Sequence, residues 1–436
     1  MSAPASPRPL WLLVVLMMSV LLDTMSFSMA IPLMPFYSLH FGASDFQVSL
    51  LFATFPALQI VATPIWGSLG DRLGYRLTLL SSIAGTGLSY LAFGLANGLG
   101  WLFLGRALAG ATGSTIAVAR AYVATVTEPA HRPQRFAFLQ TALATGLMIG
   151  PLLTSLCVGR DFQNPNFRLP GLVAAGLAIG ALTVAWVVLP RDHIPHNHLP
   201  RVRSLPTPRS HPSLSSFLRD SPRSIVHLSR DTLLRPLRSL VTVTAQIHHN
   251  AHLRDLMGAI FVNFSIGFGF LAIFPLWCAQ ELGWDIHSYS TLFTAAALSC
   301  AILLVTLPRL TRTIAPAALL PPGFLMMALA LGGMAVVPAL PQAHQVLGIC
   351  SVGLLFAVGT MLVTPNVYSL VSQTAEARHQ GSTLGIAESV TNLGSAVGAA
   401  GLGLLLDRGG AIAPCILGSA VLVGLALTCH WRIRST

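Results

Sequence analysis

Gly67-Ser68-Leu69-Gly70-Asp71-Arg72-Leu73-Gly74-Tyr75-Arg76 is a charged, glycine-rich interruption between two long apolar runs, about 45–69 and 76–97. Three glycines suit a tight turn, and an acid set beside two arginines will not enter hydrocarbon without partners. A bilayer core of about 30 Å needs about 20 apolar residues in a helix. The stretch therefore reads as a short aqueous turn joining two membrane-crossing helices.

Outward from that turn the same pattern repeats. Apolar runs fall at 10–38, 45–69, 76–97, 100–127, 134–158 and 170–189, then at 255–279, 287–308, 314–338, 344–374, 380–406 and 410–431. Backbone polar groups must be satisfied inside lipid, so the runs are expected to be helices. The alternation of a membrane barrel is absent. Of 436 residues, 53% are hydrophobic and 9% charged, against about 25% charged in a soluble chain. Mean hydropathy is +0.70. These values exclude the soluble classes. Asp23 interrupts the first run and no small-residue cleavage site follows it, so that run is expected to be a span and not a cleaved signal.

All 25 basic residues are Arg. With twelve spans and a cytoplasmic N-terminus, twenty arginines fall on the cytoplasmic side. Three fall outside (160, 168 and 408) and two inside spans (106 and 120). Setting aside the ten in the long loop leaves ten to three, which still orients the chain with both termini cytoplasmic. The arginines alternate with apolar runs, so the net charge of +11 does not indicate nucleic acid. Six single cysteines suggest neither disulfides nor a zinc site.

Three segments are expected: an N-terminal six-helix bundle over 1–189, a basic cytoplasmic linker over 190–254, and a C-terminal six-helix bundle over 255–436. The linker is too polar to form a core. Part of it (about 213–250) has the composition of a basic helix lying on anionic headgroups. Its histidines, His193, His196 and His198, then His248, His249 and His252, read as solvated rather than metal-binding. Two six-span halves suggest internal repeats, with a substrate site between them at mid-membrane.

Four ionisable residues sit inside spans: Asp23, Arg106, Arg120 and Glu388. Charge at membrane depth marks a cavity or a partner. Ser19, Ser26, Phe27 and Ala30 share the helical face of Asp23; Thr391, Asn392 and Ser395 share that of Glu388. A continuous fourth span would put Arg120 on nearly the same face as Arg106, about 21 Å further along. Asp23 is a candidate proton carrier whose proton affinity responds to burial and to its distance from Arg106; the rival reading is a static ion pair.

The 67–76 turn resembles the signature of the major facilitator superfamily, Gly-x-Leu-x-Asp-Arg-x-Gly-x-Arg, at all its fixed positions. Arg106-Ala107-Leu108-Ala109-Gly110 is similar to that family's Arg-x-x-x-Gly, and Gly146-Leu147-Met148-Ile149-Gly150-Pro151 to its antiporter motif. Where the family usually continues with two glycines, Thr154 and Ser155 stand here. Leu22-Asp23-Thr24 through Pro35 looks like the twelve-span drug:proton antiporters of the tetracycline-efflux type. The likeness is weaker after residue 255, where Asn392, Gly394 and Gly398 are its best points. An acid that the family often places at the end of span four is replaced by Thr125, with Glu128 nearest.

The resemblance implies an all-α integral membrane fold of twelve helices in two pseudo-symmetric six-helix bundles, the major facilitator fold. It implies no enzyme activity but export of a small molecule by proton antiport through alternating access. The alternatives are a uniporter, a proton symporter, or a non-transporting receptor or scaffold of the same fold. Asp23 and Arg106 are the proton-coupling candidates. Phe27, Arg120, Asn263, Phe270, Phe274, Asn366, Tyr368, Glu388 and Asn392 are candidates for the substrate cavity. Gly67, Asp71, Arg72, Gly74 and Arg76 form the gating turn, and Gly146, Gly150 and Pro151 the antiporter-type helix. No cofactor or metal is expected. The expected partners are a small-molecule substrate, protons and lipid, for a monomer in a bacterial plasma or inner membrane. Asp23 and Glu388 favour cations while Arg106 and Arg120 favour anions, so charge alone leaves the substrate open.

Overall fold

The computed structural model describes residues 10–127, 132–159, 165–189, 250–310, 313–375 and 380–435. Among them every regular element is a helix. In chain order these are α1 (Leu10–His40), α2 (Asp45–Leu73), α3 (Tyr75–Gly94), α4 (Leu99–Thr112), α5 (Thr115–Val126), α6 (Arg132–Val158) and α7 (Arg168–Val188). The second set is α8 (Ala251–Leu282), α9 (Ile286–Leu310), α10 (Leu320–Val336, with a 3-10 turn on each side), α11 (Gln342–Thr374), α12 (Gln380–Gly409) and α13 (Ala413–Ser435). Eleven helical spans among the described residues are long and apolar enough to cross a membrane; α9, at 25 residues, completes twelve. Large apolar side chains such as Leu156, Val187 and Leu347 are exposed, as lipid-facing residues should be.

The expected linker, 190–254, lies mostly outside the described residues. α8 begins at Ala251, earlier than the apolar run suggested. The reason is a cap: the Asn250 side chain accepts the amides of His252 at 3.1 Å and Leu253 at 3.2 Å, which fixes the helix start upstream of the hydrophobic stretch.

The same helix pairs recur in the two sets. α1 packs on α6 as α8 packs on α12, and α3 packs on α4 and α7 as α10 packs on α11 and α13. Glycines make the first kind of pair possible. A methyl at Gly146 would lie 2.7 Å from the Leu21 carbonyl oxygen, and one at Gly394 would lie 2.6 Å from that of Phe261. Both are steric overlaps, so these helices meet backbone to backbone.

Between the halves, α2 packs on α12 and α6 on α9. Among the described residues, three hydrogen bonds join the halves at the end opposite the chain termini. Gln280 Nε2 donates to Asp45 Oδ2 at 2.7 Å, the Phe46 amide donates to Asp407 Oδ1 at 3.5 Å, and Ser155 Oγ lies 3.3 Å from His287 Nδ1. Gly403 is pressed against Ser49 there, leaving no room for a Cβ. Nearer the termini end, Arg120 and Glu388 are exposed, so the space between the halves opens toward that end.

Candidate functional site

Span four is not one helix. It breaks at Gly113 and Ser114 between α4 and α5, where the apolar run predicted a continuous 100–127. Broken backbone at membrane depth must find partners, and two side chains supply them. Gln59 Nε2 donates to the Gly113 carbonyl at 2.8 Å. Ser82 Oγ accepts the Ser114 amide at 3.1 Å and donates to the Thr112 carbonyl at 2.6 Å. The break also overturns the face arithmetic for the two arginines: Arg106 is 1% exposed, whereas Arg120 is exposed and donates to Gln140 Oε1 at 3.2 Å.

The first residue of α5 is Thr115, and its hydroxyl and that of Thr86 are the polar neighbours of the Asp23 carboxyl. The direction of each hydroxyl follows from its single proton. Thr86 donates to the Ser82 carbonyl at 2.9 Å. The Ser82 proton goes to Thr112, so Thr115 is the donor in the 3.1 Å bond between Thr115 Oγ1 and Ser82 Oγ. Both threonines therefore offer Asp23 lone pairs. Asp23 Oδ1 is buried with no hydrogen-bond partner. Sequence reading missed Ser82, Thr86 and Thr115; Gly113-Ser114 inside an apolar run was the available signal.

Arg106 lies apart from that carboxyl. Its guanidinium carbon sits 5.0 Å from the Phe55 ring centroid and 5.8 Å from that of Phe27, and the two rings are 5.3 Å apart. Nε and Nη1 are buried without hydrogen bonds. Cation–π contact offsets part of the desolvation of a buried guanidinium. No ion pair between Arg106 and Asp23 exists among the described residues. Ser26, expected to line a cavity beside Asp23, instead donates to the α7 carbonyl of Ala174 at 3.1 Å.

The second half supplies a polar corner. Tyr368 Oη donates to Glu388 Oε2 at 3.2 Å and lies 2.6 Å from Thr391 Oγ1. Asn263 is 2% exposed; its Nδ2 donates to Thr364 Oγ1 at 3.2 Å and its Oδ1 is buried without a partner. Thr364 is one helical turn before Tyr368, so Asn263 and Glu388 flank one face of α11. Phe264 meets the Tyr368 ring edge-on at 6.4 Å.

Other expected residues fall elsewhere. Phe270 is stacked between Phe356 at 4.0 Å and Phe274 at 4.7 Å, and Phe274 packs on Trp277. Their ring faces are thus occupied by packing. Asn366 donates to the Leu362 carbonyl of its own helix at 2.7 Å. Asn392 is buried on α12. Gly150 meets Ser28 and Met25 of α1, and Pro151 is buried beside it. Thr154, the departure from the glycine pattern, donates to the Met29 carbonyl at 2.9 Å. In the gating turn the backbone of Gly67, Asp71 and Arg72 is helical, and their side chains lie outside the described residues, as do Glu128 and the side chain of Thr125. Gly74 adopts φ 90°, which a side chain would oppose. Arg76 Nη2 donates to the Trp186 carbonyl at 2.7 Å, at the end of α7. Among the described residues no group of three or more His, Cys, Asp or Glu side chains could hold a metal ion.

Comparison with known proteins agrees with this architecture. A family model described as Major Facilitator Superfamily matches residues 16–399. The chain is 25% identical over 391 residues to the class D tetracycline resistance protein of Salmonella ordonez, covering 88% of this chain and 87% of that one. It is 33% identical over 150 residues to the class B tetracycline resistance protein of Escherichia coli, covering 34% of this chain and 37% of the relative. Among solved structures, the human organic anion transporter MFSD10 superposes with a TM-score of 0.65 at 20% identity, covering 98% of this chain and 100% of that one; that likeness concerns the fold.

Proposed function

The chain belongs to the Major Facilitator Superfamily and is a multi-pass membrane transporter, not an enzyme; from that premise we propose that it exports a small molecule by proton antiport. The termini end is cytoplasmic in this reading, from the arginine distribution, so the structure is open to the cytoplasm and sealed outside. The chain works as a monomer in a bacterial inner membrane, its two bundles rocking about the shared opening and joined by the 190–249 segment. The drug-resistance relatives support export as the direction.

The observation that carries the reading is the Asp23 environment. An ionised carboxylate inside a membrane needs a cation or donors. Among the described residues Asp23 has no cation paired with it, one oxygen without a partner, and two hydroxyls that present lone pairs. Lone pairs match a carboxylic acid O–H. Asp23 therefore holds the proton in this state. Release of that proton through the cytoplasmic opening, with a local shift that brings Arg106 to the carboxylate, leaves an ion pair and readies the cavity for substrate; reprotonation from outside follows in the other state. In the outward-facing state Asp71 and Arg72 latch the cytoplasmic side, and the glycine face of α6 fixes where α1 carries Asp23.

The test is flux in proteoliposomes under an imposed pH gradient, with a substrate panel that includes tetracycline. Antiport predicts that substrate moving one way drives protons the other way, and that Asp23→Asn abolishes gradient-driven flux. Proton movement in the same direction as substrate would make the protein a symporter. Full gradient-driven flux in Asp23→Asn would remove Asp23 as the carrier.

A further inference from the structure

We propose that Asp407 is an electrostatic latch for the closed end, capping the start of α2 from the opposite half. The turn that carries it, Asp407-Arg408-Gly409-Gly410, is then the counterpart of the 71–74 turn on the same pair of helices. This rests on the two-bundle transporter reading and needs neither Asp23 nor any particular substrate.

Asp407 sits in the last turn of α12, where the dipole of its own helix disfavours a carboxylate. Arg408 beside it suits that position, so the acid needs another reason, and α2 supplies one. Ser44 and Gln47 form a capping box at the start of α2. Ser44 Oγ accepts the Gln47 amide at 3.3 Å, and Gln47 Oε1 accepts the Ser44 amide at 2.9 Å. The Phe46 amide takes part in neither bond; it donates to Asp407 Oδ1 at 3.5 Å. That contact is long for a hydrogen bond, but a charge at a helix N-terminus acts on the whole first turn. The carboxylate of Asp45, in the same turn, is drawn off to the other side, where its Oδ2 accepts Gln280 Nε2 at 2.7 Å.

The ends of the two helices match. α2 ends in Asp71-Arg72-Leu73 before Gly74, and α12 in Asp407-Arg408-Gly409 before Gly410. Both closing glycines have positive φ, 90° at Gly74 and 70° at Gly410. Each donates its amide four residues back, Gly74 to the Gly70 carbonyl at 3.1 Å and Gly410 to the Leu406 carbonyl at 3.0 Å. The helices pack antiparallel, since Phe46 meets Asp407 and Ser49 meets Gly403. Equal steps along both helices keep that register. Twenty-five residues beyond Phe46 stands Asp71, and twenty-five before Asp407 stands Ser382, in the first turn of α12. Each helix therefore carries an acid in its last turn, level with the first turn of the other. Asp407 is engaged while its end is shut, and closing the other end brings the start of α12 to Asp71 instead. The two turns compete for one rocking motion, and their balance sets which end is shut.

The test uses the full chain in lipid nanodiscs, on a background without the six native cysteines, with spin labels attached through Asn97→Cys and His344→Cys. Both residues are exposed, in opposite halves and away from the latch. Double electron–electron resonance should show that Asp407→Asn raises the ratio of long to short distance about two- to fivefold. Asp407→Glu, which keeps the charge, should stay near wild type. Adding Asp71→Asn to Asp407→Asn weakens the opposing turn and should bring the ratio back toward wild type. Screening gives a readout that packing alone would not move. In Asp71→Asn, raising salt to about 1 M, where the Debye length is about 3 Å, should raise the ratio, and in the double variant it should not. Melting temperatures guard against misfolding. An unchanged ratio in Asp407→Asn, a Glu variant that matches the Asn variant, a double variant no nearer wild type, or equal salt responses would overturn the latch. Coupled flux that survives Asp23→Asn would sink the proton-carrier reading and leave the latch standing; an unchanged ratio in Asp407→Asn beside intact antiport would do the reverse.

Discussion

Asp285, in the turn between α8 and α9, shows how one side chain sets a local start. Partial burial pushes its carboxyl up, but hydrogen bonds from the Ser288 hydroxyl and amide and the His287 charge outweigh this and hold it below its ordinary value of 3.8. Its Oδ1 accepts the Ser288 amide at 3.0 Å and caps α9. A depressed folded value means the stabilisation is complete above the ordinary value and is lost as pH falls through the lower folded one. Asp285→Ala should destabilise by about 0.5–2 kcal/mol. Melting temperatures in detergent should differ between wild type and variant at neutral pH, and the difference should begin to shrink as pH falls below about 3.9. Arg106 offers the opposite case. Among the described residues its buried charge has no acid partner, so Arg106→Met should raise stability, by about 1–4 kcal/mol if it follows other buried charges replaced by apolar residues, while abolishing coupled flux. Arg106→Lys should not restore flux, because an ammonium cannot lie flat on two rings. A variant less stable than wild type would show that the guanidinium is better satisfied than its orphaned nitrogens indicate.

At the scale of helices, the break in span four is the feature with most consequence. Ser82→Ala would remove the side-chain bonds to the Thr112 carbonyl and the Ser114 amide, which also bond each other at 2.8 Å, and should destabilise by about 0.5–1.5 kcal/mol. It should also release Thr115 from its orientation and alter the pH dependence of transport. Retained stability and an unchanged pH profile would mean that the break holds itself. Gly150→Val tests the α1–α6 contact: it would drive a branched side chain into Ser28 and should cost about 1–3 kcal/mol or prevent folding. The contrast between these two contacts explains what the sequence could reveal. Gly146 and Gly150 were readable because small residues four apart have one common use in membrane helices. Ser82 and Gln59 were not, because their partners are backbone atoms exposed only by a break whose position hydropathy does not register. Phe270 and Phe274 misled for a related reason: an aromatic ring in an apolar helix carries no mark of whether a ligand or Phe356 covers it.

For the whole molecule, the closed end depends on α2 approaching α12. Gly403 leaves no room for a side chain against Ser49. Gly403→Val should hold that end apart and raise the population of the state open on the other side. Spin labels on α2 and α8, on a background without the six native cysteines, should report a longer distance across that end. An unchanged distance would show that α12 can shift without opening. The twelve-span architecture was legible from hydropathy and arginine placement. Which end was shut was not, since the residues that join the halves, Asp45, Gln280, Ser155 and Asp407, are ordinary polar residues at helix ends.

Polar contacts of the kind linking Gln280 to Asp45 and Phe46 to Asp407 contribute about 0.5–1.5 kcal/mol each. Three of them bias the conformational balance by only a few kcal/mol, a range in which the minority state stays thermally accessible. The closed door is thus fastened lightly enough for the binding of cargo to tip it. Reinforcing it with a covalent tie would trade turnover for durability.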